Sequence, residues 1–172
     1  MLSRFAITLS ALSLALLGGC ATPMPGPSAS ADLLARSGSA VSGTVNFSEK
    51  DGRLRVEAKV AGLAPGEHGF HIHEAGDCSA PDASSAKGHF NPTGKAHGHF
   101  ASDEHHGGDM PSLIANAQGE AIYIAELRGL TLSGETGVLG RSVVIHADPD
   151  DYKSQPAGNS GKRIACGVIV AR

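Results

Sequence analysis

Residues 41–60 read VSGTVNFSEKDGRLRVEAKV, and this stretch decides the fold class. Val41, Gly43, Val45 and Phe47 alternate with Ser42, Thr44 and Asn46. Leu54, Val56, Ala58 and Val60 alternate with Arg53, Arg55, Glu57 and Lys59. Successive side chains of a strand point to opposite faces, so each run reads as a half-buried strand at period two. Asp51-Gly52 between them is a hairpin turn signal.

Outward from this hairpin, further strand candidates lie at 66–73, 112–115, 121–125, 140–146 and 164–170. Residues 74–110 show no periodicity, and 147–163 form a second long loop. Irregular stretches of that length inside a compact domain are functional or clamped. Glycine is abundant at 23 residues and tryptophan is absent, so the core is built from Val, Ile, Leu and Ala on short elements. Neither an internal repeat nor a long helix is legible. The expected architecture is all-β: a Greek-key barrel or sandwich of about eight strands carrying two long functional loops.

The chain divides into three parts. Residues 1–19 read as a lipoprotein signal peptide, with Arg4 before an apolar run from Phe5 to Leu17 that is too short for a membrane span. Gly18-Gly19-Cys20 resembles a lipobox, in which the cysteine is acylated. The expected product is an exported protein of the bacterial cell envelope, lipid-anchored in the periplasm at the outer membrane. Residues 20–38, rich in Ala, Pro, Gly and Ser, are expected to be a flexible tether from that anchor, and residues 39–172 the domain. With 17 acidic and 14 basic residues, the chain offers no basic footprint for nucleic acid. In an oxidising compartment, Cys78 and Cys166 are free to pair once Cys20 carries lipid.

The chemistry-bearing residues are His71, His73, His89, His97, His106, Asp109 and His146. Imidazole is the commonest protein metal ligand, and a carboxylate among imidazoles suits zinc. His71 and His73 lie two apart on a candidate strand and therefore share a face. His146 ends another apolar strand, and His106-x-x-Asp109 has the short separation of a local chelate. Seven ligands exceed one tetrahedral site, so either several are bystanders or two metals sit close together. His99 and His105 read as surface residues of the same loop.

Five segments carry a family resemblance: Gly69-Phe70-His71-Ile72-His73-Glu74, Gly88-His89-Phe90-Asn91-Pro92, His106-Gly107-Gly108-Asp109, Gly140 through His146, and Gly158-Asn159 running through Arg163 to Cys166-Gly167. In this order they resemble the exported bacterial copper/zinc superoxide dismutases. The resemblance implies a copper ion held by His71, His73, His89 and His146. It implies a zinc ion held by His89, His97, His106 and Asp109, with His89 bridging the two. It further implies Asp150 as a carboxylate joining His71 to His97, Arg163 as the residue that receives the superoxide anion beside copper, and a Cys78–Cys166 disulfide. Members of the family are monomers or homodimers. Ala157 departs from the threonine that many members carry beside the anion channel. A copper-storage lipoprotein on the same fold is the rival reading, and Arg163 argues against it, because storage needs no anion-binding arginine.

Overall fold

The computed structural model describes residues 26–172; the expected signal peptide and Cys20 lie outside the described residues. Ten strands follow one another: β1 Ser28–Ala35, β2 Ser42–Lys50, β3 Arg53–Ala61, β4 Gly66–His68, β5 Phe70–His73, β6 Leu113–Ala115, β7 Ala121–Arg128, β8 Ser142–His146, β9 Arg163–Val168 and β10 Val170–Ala171. The main sheet runs β5-β8-β9-β1-β2-β3-β7, with β10 also on β1, and it curls strongly into a half-barrel. β4 and β6 form a separate pair. It fills the space between the ends of that path, because β6 packs beside β7 and β4 leads through Gly69 into β5.

The 41–60 hairpin is β2 and β3, in register from Ser42↔Ala61 to Lys50↔Arg53. Asp51 and Gly52 both have positive φ, at 53° and 71°, as a two-residue turn between twisted strands requires. The alternating apolar residues point inward, where Val45, Phe47, Leu54, Val56 and Val60 join Phe70, Ile72, Leu113, Ile145 and Ile169 in one core. Each such buried side chain contributes about 1.5–3 kcal/mol of transfer free energy.

Three expectations need correction. The segment 20–38 is not a tether throughout, because Ser28–Ala35 is a strand in the middle of the main sheet. Ala29, Ala31 and Leu33 point into the core, but small side chains and flanking serines hide that period in the sequence. The strand forms because β2, β9 and β10 offer backbone groups on either side of it. The expected strand 66–73 divides at Gly69 into β4 and β5, which pair with different neighbours. The expected strand 164–170 likewise divides into β9 and β10.

Residues 74–110 hold only a single 3₁₀ turn at Ser84–Ala86, yet they are clamped. Ile72 N–H donates to Gly108 O at 2.9 Å, and Phe90 N–H donates to Ile72 O at 2.8 Å. Gly108 N–H in turn donates to Phe90 O at 2.8 Å. The loop therefore folds back along the free edge of β5, bringing Asp109 opposite His71 and His89 opposite His73. A Cβ on Gly108 would run into the Ile72 carbonyl, which is why glycine stands there.

Candidate metal centre

The seven residues singled out from the sequence come together as two buried clusters sharing His89: His71, His73, His89 and His146, and His89, His97, His106 and Asp109. In each the donor atoms lie within 4.8 Å of one another. His99 and His105 belong to neither. His71 and His73 are aimed by β5 and His146 by the last position of β8, and strand alternation sets all three on the face away from the core residues Phe70, Ile72, Val143 and Ile145.

In the first cluster one nitrogen of each ring is committed to the protein and the other is bare. His71 Nε2 pairs with Asp150 Oδ2 at 2.7 Å, His73 Nδ1 donates to Lys87 O at 2.9 Å, and His146 Nδ1 to Gly161 O at 3.3 Å. Buried without any hydrogen-bond partner are His71 Nδ1, His73 Nε2, His89 Nε2 and His146 Nε2. Unpartnered buried nitrogens are costly unless something else meets them, and four converging imidazoles suit copper. Burial depresses the pKa of His73 and His146 well below the ordinary imidazole value and that of His89 to about 4. All three rings are thus neutral at pH 7, the form a metal binds.

The second cluster centres on Asp109. Its Oδ2 accepts from Gly98 N–H at 3.1 Å and His106 N–H at 2.8 Å, which leaves Oδ1 for the rings. His89 Nδ1 lies 2.7 Å, His97 Nδ1 3.0 Å and His106 Nδ1 3.3 Å from that oxygen. Three imidazoles and a carboxylate match a closed tetrahedral zinc site. Burial opposes the charged form of Asp109, yet His106, His89 and His97 hold its carboxyl far below the usual range. Burial likewise opposes protonation of His97, but Asp109 and Asp150 outweigh it and raise its pKa to about 9.

Asp150 joins the clusters, one oxygen on His71 Nε2 and the other on His97 Nε2 at 2.9 Å. Gly158, at φ 65°, packs so closely on this bridge that a Cβ would strike Asp150 and His97. Arg163, on the first position of β9, donates through Nη1 to Ala83 O at 2.8 Å and is near enough to His73 and His146 to lower both their pKa values. The disulfide Cys78–Cys166, with Cα atoms 5.7 Å apart, ties that loop to β9. Ala157 lines a shallow hollow beside His146 with Ser160 and Gly161.

Several contributors were not legible in the sequence. Gln155 brackets the His97 backbone, accepting from its N–H and donating to its carbonyl, both at 2.9 Å. Arg141 lies 3.4 Å above the Phe90 ring, pinning the residue next to His89. Lys87 and Ala83 present the carbonyls that hold His73 and Arg163, and both have positive φ without being glycine. No local pattern marks such carbonyls, because their role depends on a partner distant in sequence.

A curled all-β scaffold with two nitrogen-rich pockets sharing one imidazole defines a histidine-bridged two-metal protein. The family model described as "Copper/zinc superoxide dismutase (SODC)" matches residues 41–169. The chain is 44% identical to "Superoxide dismutase [Cu-Zn]" of Deinococcus radiodurans, covering 96% of this chain and 95% of that one. It is also 44% identical to "Superoxide dismutase [Cu-Zn] 2" of Aquifex aeolicus, over 82% and 85% of the two chains. Among solved structures it resembles that of the clock protein EA4, with TM-score 0.77 and 35% identity, covering 88% of this chain and 98% of that one. The chain belongs to the copper/zinc superoxide dismutase family.

Proposed function

We propose that this chain disproportionates superoxide to dioxygen and hydrogen peroxide, as an oxidoreductase whose cofactors are one copper and one zinc ion. The observation that carries this reading is His89, whose two ring nitrogens face two different clusters. Bound copper supplies a one-electron couple that oxidises one superoxide and reduces a second, while zinc supplies charge and rigidity without redox chemistry.

His71, His73, His89 and His146 would hold copper, and His89, His97, His106 and Asp109 would hold zinc. Asp150 fixes the orientation of His71 and His97 at once, so the two sites are built against each other. Zinc held by His97, His106, Asp109 and His89 would keep the His89 ring in place, with its Nε2, which has no hydrogen-bond partner in the protein, at the position from which a proton would be handed to the product. Arg163 draws the anion to the copper side, because its guanidinium stays charged and offers paired donors at the edge of the cluster. In an acidic protein, local positive charge at that edge raises the encounter rate with an anionic substrate.

The lipobox-like segment supports export, removal of residues 1–19 and anchoring of the mature chain to the envelope membrane through acylated Cys20. The enzyme then works in the periplasm, where its disulfide persists.

The test is superoxide dismutation by the purified chain loaded with one equivalent each of copper and zinc. Rapid dismutation that disappears when copper is removed is expected, and restoration by copper but not by zinc alone. Tight binding of both metals with no dismutation would overturn the reading in favour of copper handling. Arg163→Glu is expected to slow dismutation at least tenfold with both metals retained.

A further inference from the structure

The turn that joins β1 to β2 belongs to neither metal cluster, yet its hydrogen bonds to distant residues fall on the two segments that the disulfide joins. Ser39 N–H donates to Arg36 O at 3.0 Å, and Ser37 and Gly38 between them have φ 53° and 76°, as a two-residue hairpin turn requires. On the disulfide-loop side, Arg36 Nε donates to Cys78 O at 2.8 Å and Nη2 reaches the same oxygen, while Ser37 N–H donates to Pro81 O at 2.8 Å. On the β9 side, Arg36 N–H donates to Ile164 O at 2.8 Å, and Ser39 Oγ donates to the same carbonyl at 2.6 Å. Ser37 Oγ donates to Arg163 O at 2.8 Å. Cys78 and Cys166 tie the same two segments covalently.

Ser37 marks the turn as more than a connection. Glycine adopts such a φ without strain, whereas serine does so at a cost and brings a hydroxyl. Strained backbone persists where the surroundings make use of it, and here the hydroxyl is spent on the Arg163 carbonyl. The Arg163 backbone is the register partner of His146, a copper-side histidine, and its guanidinium rests on Ala83 O within the disulfide loop. Where that guanidinium points therefore depends on how the loop sits against β9, and the turn holds both.

We propose that Arg36 and Ser37 are positioning residues for Arg163: the turn clasps loop and strand a second time, without a covalent bond, so that the anion-binding guanidinium keeps its place when the Cys78–Cys166 bond is open. The proposal rests on the reading of Arg163 as the residue that receives superoxide. The planar fork of Arg36 fixes the Cys78 carbonyl from two nitrogens, where an ammonium would hold it from one. The two clamps act in parallel. Losing either alone leaves Arg163 aimed, and losing both frees it.

The test crosses Arg36→Ala with Cys78→Ser/Cys166→Ser in the full chain loaded with copper and zinc, following kcat/KM for dismutation, its salt dependence and metal content. Each change alone is expected to leave kcat/KM within about twofold, and the two together to lower it about tenfold with both metals retained and a flatter salt dependence. Ser37→Gly suits the turn and removes only the hydroxyl. In the disulfide-free chain it should lower kcat/KM about threefold, and it stands in if the combined variant does not fold. A second readout needs no metal: amide hydrogen exchange at Arg36 and Ser37 in the metal-free chain, before and after dithiothreitol. Protection should survive reduction and fall at least about tenfold with Arg36→Ala. A disulfide-free chain that is slow or unfolded with Arg36 in place overturns the proposal. So does a combined variant that loses stability with kcat/KM and salt dependence unchanged, which would make the turn a structural brace only. Arg163→Glu, run alongside, separates the two readings. If it leaves dismutation fast, the anion role falls and the proposal with it; if it slows dismutation while the combined variant does not, only the clasp falls.

Discussion

The two halves of the metal centre are built by different means. Three of the four copper-side histidines stand on strands, two on β5 and one on β8, so the hydrogen-bonded sheet aims them. All four zinc-side residues come from one loop segment, His89 to Asp109, and they are gathered by one carboxylate oxygen. A donor set on strands is preorganised by the core, whereas a donor set on a loop holds its shape through its own bonds and its metal. The copper side should therefore lose activity when a ligand is removed, and the zinc side should lose structure.

The disulfide serves both halves and gives the largest expected effect on stability. It closes a separation of 88 residues. Chain-entropy reasoning assigns such a closure about 4–5 kcal/mol, so Cys78→Ser/Cys166→Ser should lower unfolding free energy by roughly that much in a denaturant titration. A loss under about 1 kcal/mol would mean that the clamps on β5 suffice without it.

Next comes Asp109→Ala. It strips the oxygen that collects three rings and leaves the buried N–H groups of Gly98 and His106 unpaired. About 3–4 kcal/mol should be lost, together with zinc, as read by calorimetry and metal analysis. His146→Ala is the counterpart on the other side: copper-dependent dismutation should vanish while stability changes by about 1 kcal/mol. If His146→Ala destabilises as much as Asp109→Ala, the distinction between the halves fails.

A subtler separation comes from pH. In the metal-free protein His73, His146 and His89 have folded pKa values below the ordinary 6.5, that of His89 about 4. Neutral imidazoles of this kind contribute stability above pH 6.5 that is lost as the pH falls toward 4. His97, raised to about 9, does the reverse: its contribution is present below pH 6.5 and is lost between 6.5 and 9. A Tm profile of the metal-free protein should thus decline on both sides. Zinc alone should abolish the alkaline decline, because a zinc-bound His97 carries no titrating proton there.

The smallest of these effects concerns the residue that couples the halves. Asp150→Asn keeps the shape but weakens the hold on His71 and His97, and copper affinity should fall about 10- to 100-fold by competition with a chelator. A change confined to one metal would show that the bridge serves that side alone.

Much of this was legible in the chain itself. The alternation in 41–60 and the Asp51-Gly52 turn specify a hairpin locally, because strand periodicity and turn chemistry act over a few residues. The candidate ligands were legible because metals demand particular side chains and their order matched a family pattern, and the fold brings those residues together. Ser28–Ala35 was not legible, since its small residues carry little apolar signal and its stability comes from three strands far along the chain. Nor was the role of Gln155, Lys87 or Arg141, each of which acts on a residue distant in sequence.

The sequence by itself determined the strand class, the donor set and the two cysteines, all properties of side-chain chemistry and short-range spacing. Tertiary structure alone decided which nitrogen of each ring is left bare, because that depends on register and on what the other nitrogen meets. It decided equally that Ile122 and Ile124 face outward. Residues 121–125 are apolar on both alternating sets, and packing in the core, where Tyr123 meets Phe70 edge-on beside Ala121 and Leu127, fixes which set is buried.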